Sequence, residues 1–119
     1  PLSGPYIDME QKTLGQTNTN LALVHDLFEN DALVFETKGL NAYAIRSEKS
    51  SHSVTLSYKD MPYVGIWSPY PKEAPFVCIE PWCGIADTVN SSGELMEKAG
   101  INQLGAHEIF QTKYSITVK

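Results

Sequence analysis

The segment Phe76-Val77-Cys78-Ile79-Glu80 runs four apolar residues straight into a carboxylate, and Pro81 and Trp82 follow. Such a near-continuous apolar run predicts a strand covered on both faces. Strand alternation then sets Glu80 at the end of that strand, on the face of Phe76 and Cys78. An ionised carboxylate in those surroundings is costly unless it is paired or hydrogen-bonded, and a carboxylate so placed is a candidate general base. The alternative is a strand that stops at Ile79, with Glu80 turned to water. Trp82 divides the same way, as an aromatic wall for a ligand or as core filling. Spacing alone suggests a site here without naming a reaction.

The other reactive side chains are less pointed. Cys78 and Cys83 are separated by four residues, which fits neither the CxxC spacing of zinc and redox sites nor a disulfide framework. They read as reduced, half-buried thiols, and no metal site is expected. His25, His52 and His107 are scattered, and nothing local would hold any of them against Glu80, so each reads as a surface histidine.

The elements that must carry Glu80 are mostly strands. Residues 32–37 form the first, and Lys38-Gly39 is a turn signal before a second at 42–47. In residues 52–58, Val54, Leu56 and Tyr58 alternate with polar neighbours. Residues 63–68 and 76–80 follow, and a long closing strand is expected over 108–118. Residues 1–20, rich in Pro, Gly, Thr, Asn and Gln, predict an extended connector. One or two helical turns are expected in 20–28, because Leu23, Leu27 and Phe28 share a helical face, and one more at 94–98. Closely spaced short strands with little helix between them indicate an all-β chain folded as an antiparallel β-sandwich.

Composition narrows the partners. The 9 basic and 14 acidic side chains leave a formal charge of -5. No stretch gathers Lys and Arg, so neither a nucleic acid nor a membrane surface is an expected partner. No apolar run approaches the ~20 residues of a membrane span, and no charged segment followed by an apolar one opens the chain. A cytoplasmic location is the default expectation. With 119 residues the chain has the length of one domain.

The block from Gly65-Ile66-Trp67-Ser68-Pro69-Tyr70-Pro71-Lys72-Glu73-Ala74-Pro75-Phe76 through Cys78-Ile79-Glu80-Pro81-Trp82-Cys83-Gly84-Ile85-Ala86-Asp87 closely resembles the aldose 1-epimerase (galactose mutarotase-like) family, and more narrowly its LacX-type branch. The likeness extends upstream through Leu27-Phe28-Glu29-Asn30-Asp31-Ala32-Leu33-Val34-Phe35 and downstream to Tyr114-Ser115-Ile116. The resemblance implies a large antiparallel sandwich whose curved sheet carries a sugar site, and interconversion of α and β anomers of a hexose or hexose phosphate without a cofactor. It sets Glu80 on the family's catalytic Glu, and Asp31 where the family has an Asp that binds sugar hydroxyls. Asp31 also suits a turn that caps a strand. Trp67, Lys72 and Trp82 lie in the branch-specific block as weaker candidates for ring or hydroxyl contacts. Lys72 reads more readily as a solvated loop charge.

The family's acid is a His upstream of the Asp motif, which this chain does not match. The resemblance therefore implies that residues 1–119 are the C-terminal portion of a single longer domain, completed by a missing N-terminal half that supplies the acid. Without that half the chain would be inactive, and its open sheet edges would pair with that half or with a second copy as a homodimer. The alternative function is a sugar-binding or sensing β-sandwich without turnover.

Overall fold

A computed structural model describes residues 20–119, together with the backbone of two short strands before them. Those are β1 (Leu2–Ser3) and β2 (Tyr6–Ile7), an antiparallel pair. The connector expected over residues 1–20 otherwise lies outside the described residues.

Six further strands build two sheets. β3 (Leu33–Glu36), β6 (Tyr63–Trp67) and β7 (Cys78–Trp82) form one, in the order β3-β6-β7. β4 (Leu40–Arg46), β5 (Ser53–Lys59) and β8 (Tyr114–Val118) form the other, in the order β4-β5-β8. All pairings are antiparallel. The fold is an all-β antiparallel sandwich, as its strand pattern predicts.

The chain changes sheet twice at one corner, and buried polar contacts lock that corner. After β3 it crosses to β4 through Thr37, Lys38 and Gly39, where Gly39 takes a φ of 64°. After β5 it crosses back to β6 through Asp60, Met61 and Pro62. Thr37 joins the two crossings: its backbone N–H donates to the Pro62 carbonyl at 2.8 Å, and its hydroxyl donates to the Met61 carbonyl at 2.8 Å. The Tyr58 hydroxyl in turn donates to Thr37 Oγ1 at 3.3 Å. Thr37 is buried, so each of these groups would cost stability if left without a partner.

Between the sheets, Phe28, Tyr58, Met61, Val64 and Ile66 form the buried core, with Leu33, Phe35, Tyr43, Leu56 and Ile79 packed against it. Alternation explains the assignment. On β6, Val64 and Ile66 turn inward, and their register partners Phe35 and Leu33 on β3 and Ile79 on β7 share that face.

Four elements differ from their sequence-based expectation. The strand expected at 76–80 is Cys78–Trp82, so Glu80 is its central residue and not its end. Phe76 is spent on a loop closure instead: its carbonyl accepts the Ser68 hydroxyl at 2.9 Å. The helical turns expected in 20–28 reduce to a 3-10 turn at His25–Phe28, which has no side-chain cap. A helix that short gains nothing from cooperative propagation. The turn expected at 94–98 is likewise 3-10, at Leu95–Glu97. The closing strand is confined to Tyr114–Val118. Its partner β5 faces it only from Val54 to Tyr58 and then turns away at Asp60, so residues 108–113 have no ladder to join.

Candidate functional site

β7 carries Cys78, Glu80 and Trp82 on the face turned away from the core. Three observations fix that face. Ile79 packs in the core, so its strand neighbours point the other way. Glu80 is near enough to Cys78 for its charge to raise the thiol's pKa. A Cβ built on Gly65, which pairs with Glu80 across the ladder, would come within 2.6 Å of Trp82 Cζ2. The indole of Trp82 thus lies across β6 over the one position that has no side chain.

Around Glu80 the ladder assembles a compact set. Gly65 is directly opposite, Trp67 is opposite Cys78, and Tyr63 is opposite Trp82. Glu80, Trp67 and Trp82 are all half-buried. The Trp67 ring also meets Phe76, with centroids 6.0 Å apart and planes tilted by 51°. One carboxylate is therefore flanked by two indoles on a sheet face that no described strand covers. Chemically, this is an acceptor for a hydroxyl proton set beside flat apolar surfaces, the pairing that suits the polar rim and apolar faces of a pyranose.

Burial first, and the charge of Glu80 second, push the Cys78 thiol above its ordinary range. Protonated, it can act as a donor to the carboxylate beside it. Cys83 lies on the opposite side and packs against the core. The two free cysteines thus occupy different faces.

The remaining sequence candidates lie in turns and loops outside the β6–β7 ladder. Asp31 lies in the turn before β3 at a φ of 70°; its carboxylate accepts the Ala32 N–H at 2.7 Å, and it is exposed. That is the geometry of a turn residue. Lys72 is exposed in the loop that joins β6 to β7, next to the cis Tyr70-Pro71 bond. His25 braces the same loop: its Nε2–H donates to the Pro71 carbonyl at 2.9 Å, and its ring lies 4.8 Å from that of Tyr70. His52 and His107 are exposed. A cavity of about 560 Å³ is lined by Phe28, Ile45, Ser68, Glu73, Phe76 and neighbours, with none of the sequence-assigned site residues in its wall. Among the described residues no cluster of three His, Cys, Asp or Glu side chains is placed to hold a metal.

Sequence reading set Cys78 on the face of Glu80 but missed Gly65 and Tyr63 as its neighbours. A glycine inside a strand is a signal of close approach, and Gly65 carried it. Cys78 lies two residues before Glu80, the spacing that shares a face. Tyr63 had no such mark.

No known protein-family model matches the chain. Two curated relatives, the plasmid-borne and chromosomal LacX proteins of Lactococcus lactis subsp. lactis, are each 25% identical over 113 residues, 94% of this chain. Among solved structures, a galactose mutarotase related enzyme from Lactobacillus acidophilus is 41% identical and superimposes over the whole chain with a TM-score of 0.93. The chain spans 38% of the length of the LacX relatives and 40% of that structure.

Proposed function

For a chain that belongs with the LacX and galactose mutarotase-like proteins, we propose that it carries the base and part of the sugar pocket of a mutarotase, an aldose 1-epimerase acting on a hexose or hexose phosphate. Glu80 is the base. It takes the proton of the C1 hydroxyl while an acid protonates the ring oxygen, and the C1–ring oxygen bond breaks to leave an open-chain aldehyde. Rotation about the C1–C2 bond presents the other carbonyl face. The ring hydroxyl then attacks C1, returns its proton to the acid, and Glu80 returns its proton to the new C1 oxygen. Atoms and protons balance, and no cofactor is consumed.

The observation that carries this reading is the outward face of β7, where Glu80 stands mid-strand between Trp67 and Trp82. A rigid sheet holds a base and a stacking surface in fixed relation, which is what an acid–base pair acting across one ring demands. Trp82 and Trp67 serve as walls for the sugar. Asp31 and Lys72 are assigned to its outer hydroxyls or phosphate. The acid comes from the part of the fold that this chain does not match, since His25 is engaged by the β6–β7 loop.

The test is Glu80→Gln in the protein assembled with the rest of its fold, followed by polarimetry on freshly dissolved α-glucose and α-galactose. Loss of a positioned base lowers the rate by ~10²–10⁴-fold. An unchanged rate removes Glu80 from the mechanism. Sugar binding without any acceleration in the unsubstituted protein favours the sensing reading instead.

A further inference from the structure

The loop between β6 and β7 begins directly after Trp67 and ends directly before Cys78, its partner across the ladder. The course of that loop therefore sets where the Trp67 indole stands over the face that bears Glu80. Pro69, Pro71 and Pro75 within it have no N–H to give. Among the described residues the loop makes no backbone–backbone hydrogen bond beyond the ladder. Close packing does not fix it either. A cavity lies between loop and body, lined by Ser68, Glu73 and Phe76 on one side and by His25 and Phe28 on the other. Two side-chain hydrogen bonds hold the loop among the described residues. At its base the Ser68 hydroxyl donates to the Phe76 carbonyl, and the Phe76 ring meets Trp67. At its tip His25 reaches across the cavity, with Nε2–H on the Pro71 carbonyl at 2.9 Å and its ring 4.8 Å from that of Tyr70.

His25 is itself anchored. It opens the 3-10 turn whose last residue, Phe28, is buried in the core. The Phe28 carbonyl accepts the Asp31 N–H at 3.0 Å. Because Leu33 pairs with Ile66, the Asp31 turn and Trp67 stand at one end of the sheet. The short segment 25–31 thus ties both sides of that end together, Asp31 on one and the loop that follows Trp67 and carries Lys72 on the other. We infer that His25 is a positioning residue of the proposed sugar site: its hold on the Tyr70–Pro71 tip fixes the Trp67 wall, and so sets how tightly a sugar is held, without touching the sugar or moving a proton. That role rests on the sugar reading of the Glu80 face, but not on turnover there.

The first test needs only this chain. Its two tryptophans give two indole N–H signals in a nitrogen–proton correlation spectrum, assigned with Trp67→Phe. Trp82, which lies over Gly65, is the internal control. In His25→Ala the Trp67 signal is expected to shift and broaden while the Trp82 signal stays in place. His25→Gln, which keeps an N–H donor, restores it; His25→Phe, which keeps only a ring, does not. An unmoved Trp67 signal, equal movement of both signals, or recovery in His25→Phe alone overturns the inference. The second test uses glucose and galactose with the protein assembled with the rest of its fold. His25→Ala is expected to raise KM by about five- to tenfold, the worth of one lost hydrogen bond, with kcat held within about twofold. An unchanged KM, or a fall in kcat alone, overturns the inference. Should the unsubstituted assembly interconvert no anomers, the catalytic reading ends, and the same ratio is read in dissociation constants from tryptophan emission. Equal constants in His25→Ala, or no binding of either sugar, then overturn the inference.

Discussion

Gly65 and Trp82 depend on each other, because an alanine Cβ at position 65 would lie 2.6 and 2.9 Å from two carbons of the indole. Gly65→Ala must push that ring aside, and forcing an extra carbon into a packed contact costs about 1–3 kcal/mol. Urea denaturation gives the cost, and the displaced indole N–H signal in a nitrogen–proton correlation spectrum shows where the strain goes. Cys78 offers a second readout of the same face. Because burial and then Glu80 hold its thiol protonated, Glu80→Gln partly relieves the shift, and Cys78 alkylates faster with iodoacetamide near pH 8. Peptide mass spectrometry follows it separately from Cys83; an unaltered rate would show that the carboxylate does not reach the thiol. The apolar run ahead of Glu80 made that carboxylate legible in the sequence. Trp82, two residues on, was legible as a candidate wall beside it, but Trp67 was not legible as a neighbour. The pairing of Trp67 with Cys78 exists only once the ladder register is set, and no local pattern encodes a contact across a ten-residue loop.

Among the elements, the corner between the sheets and the β4–β5 pair make separable predictions. Thr37→Val keeps the shape of the side chain but leaves the Tyr58 hydroxyl without its acceptor, at a cost of about 1–3 kcal/mol by thermal or urea unfolding. Tyr43 stacks on Tyr58 with centroids 6.2 Å apart and planes 9° apart. Burial, followed by that neighbouring phenol, pushes Tyr43 from 10.0 up to about 12. The folded chain therefore holds the phenolic proton more tightly than the unfolded one does. Its stabilising contribution is complete below pH 10 and is lost as the pH rises towards 12. Denaturation midpoints across that interval should fall, and Tyr43→Phe should flatten the decline. Strands were legible wherever apolar and polar residues alternate, as in β4 and β5. They were misjudged where a chain suited to a strand lacks a partner. Residues 108–113 have β-forming composition, but β5 has already turned at Asp60. Phe76 fits a strand equally well, but its carbonyl closes the loop with Ser68.

For the molecule as a whole, the balance of surface to core is unusual. Among the described residues six hydrophobic side chains are buried, while seventeen large ones are exposed. The accessible surface is 9321 Å², against about 6,400 Å² for a compact monomer of this mass. Little of the hydrophobic gain that offsets chain entropy is realised. The chain should bind the dye ANS at neutral pH and unfold in urea with a shallow slope. A chain that unfolds steeply and leaves the dye dark would contradict this balance. The folded arrangement also has an optical consequence. The chain has only two tryptophans, and both stand on the sheet face that bears Glu80. Its tryptophan emission, excited selectively over the tyrosines, comes from that face alone, so a molecule settling against Glu80 alters the spectrum directly, and the protein can be titrated with candidate sugars without any label.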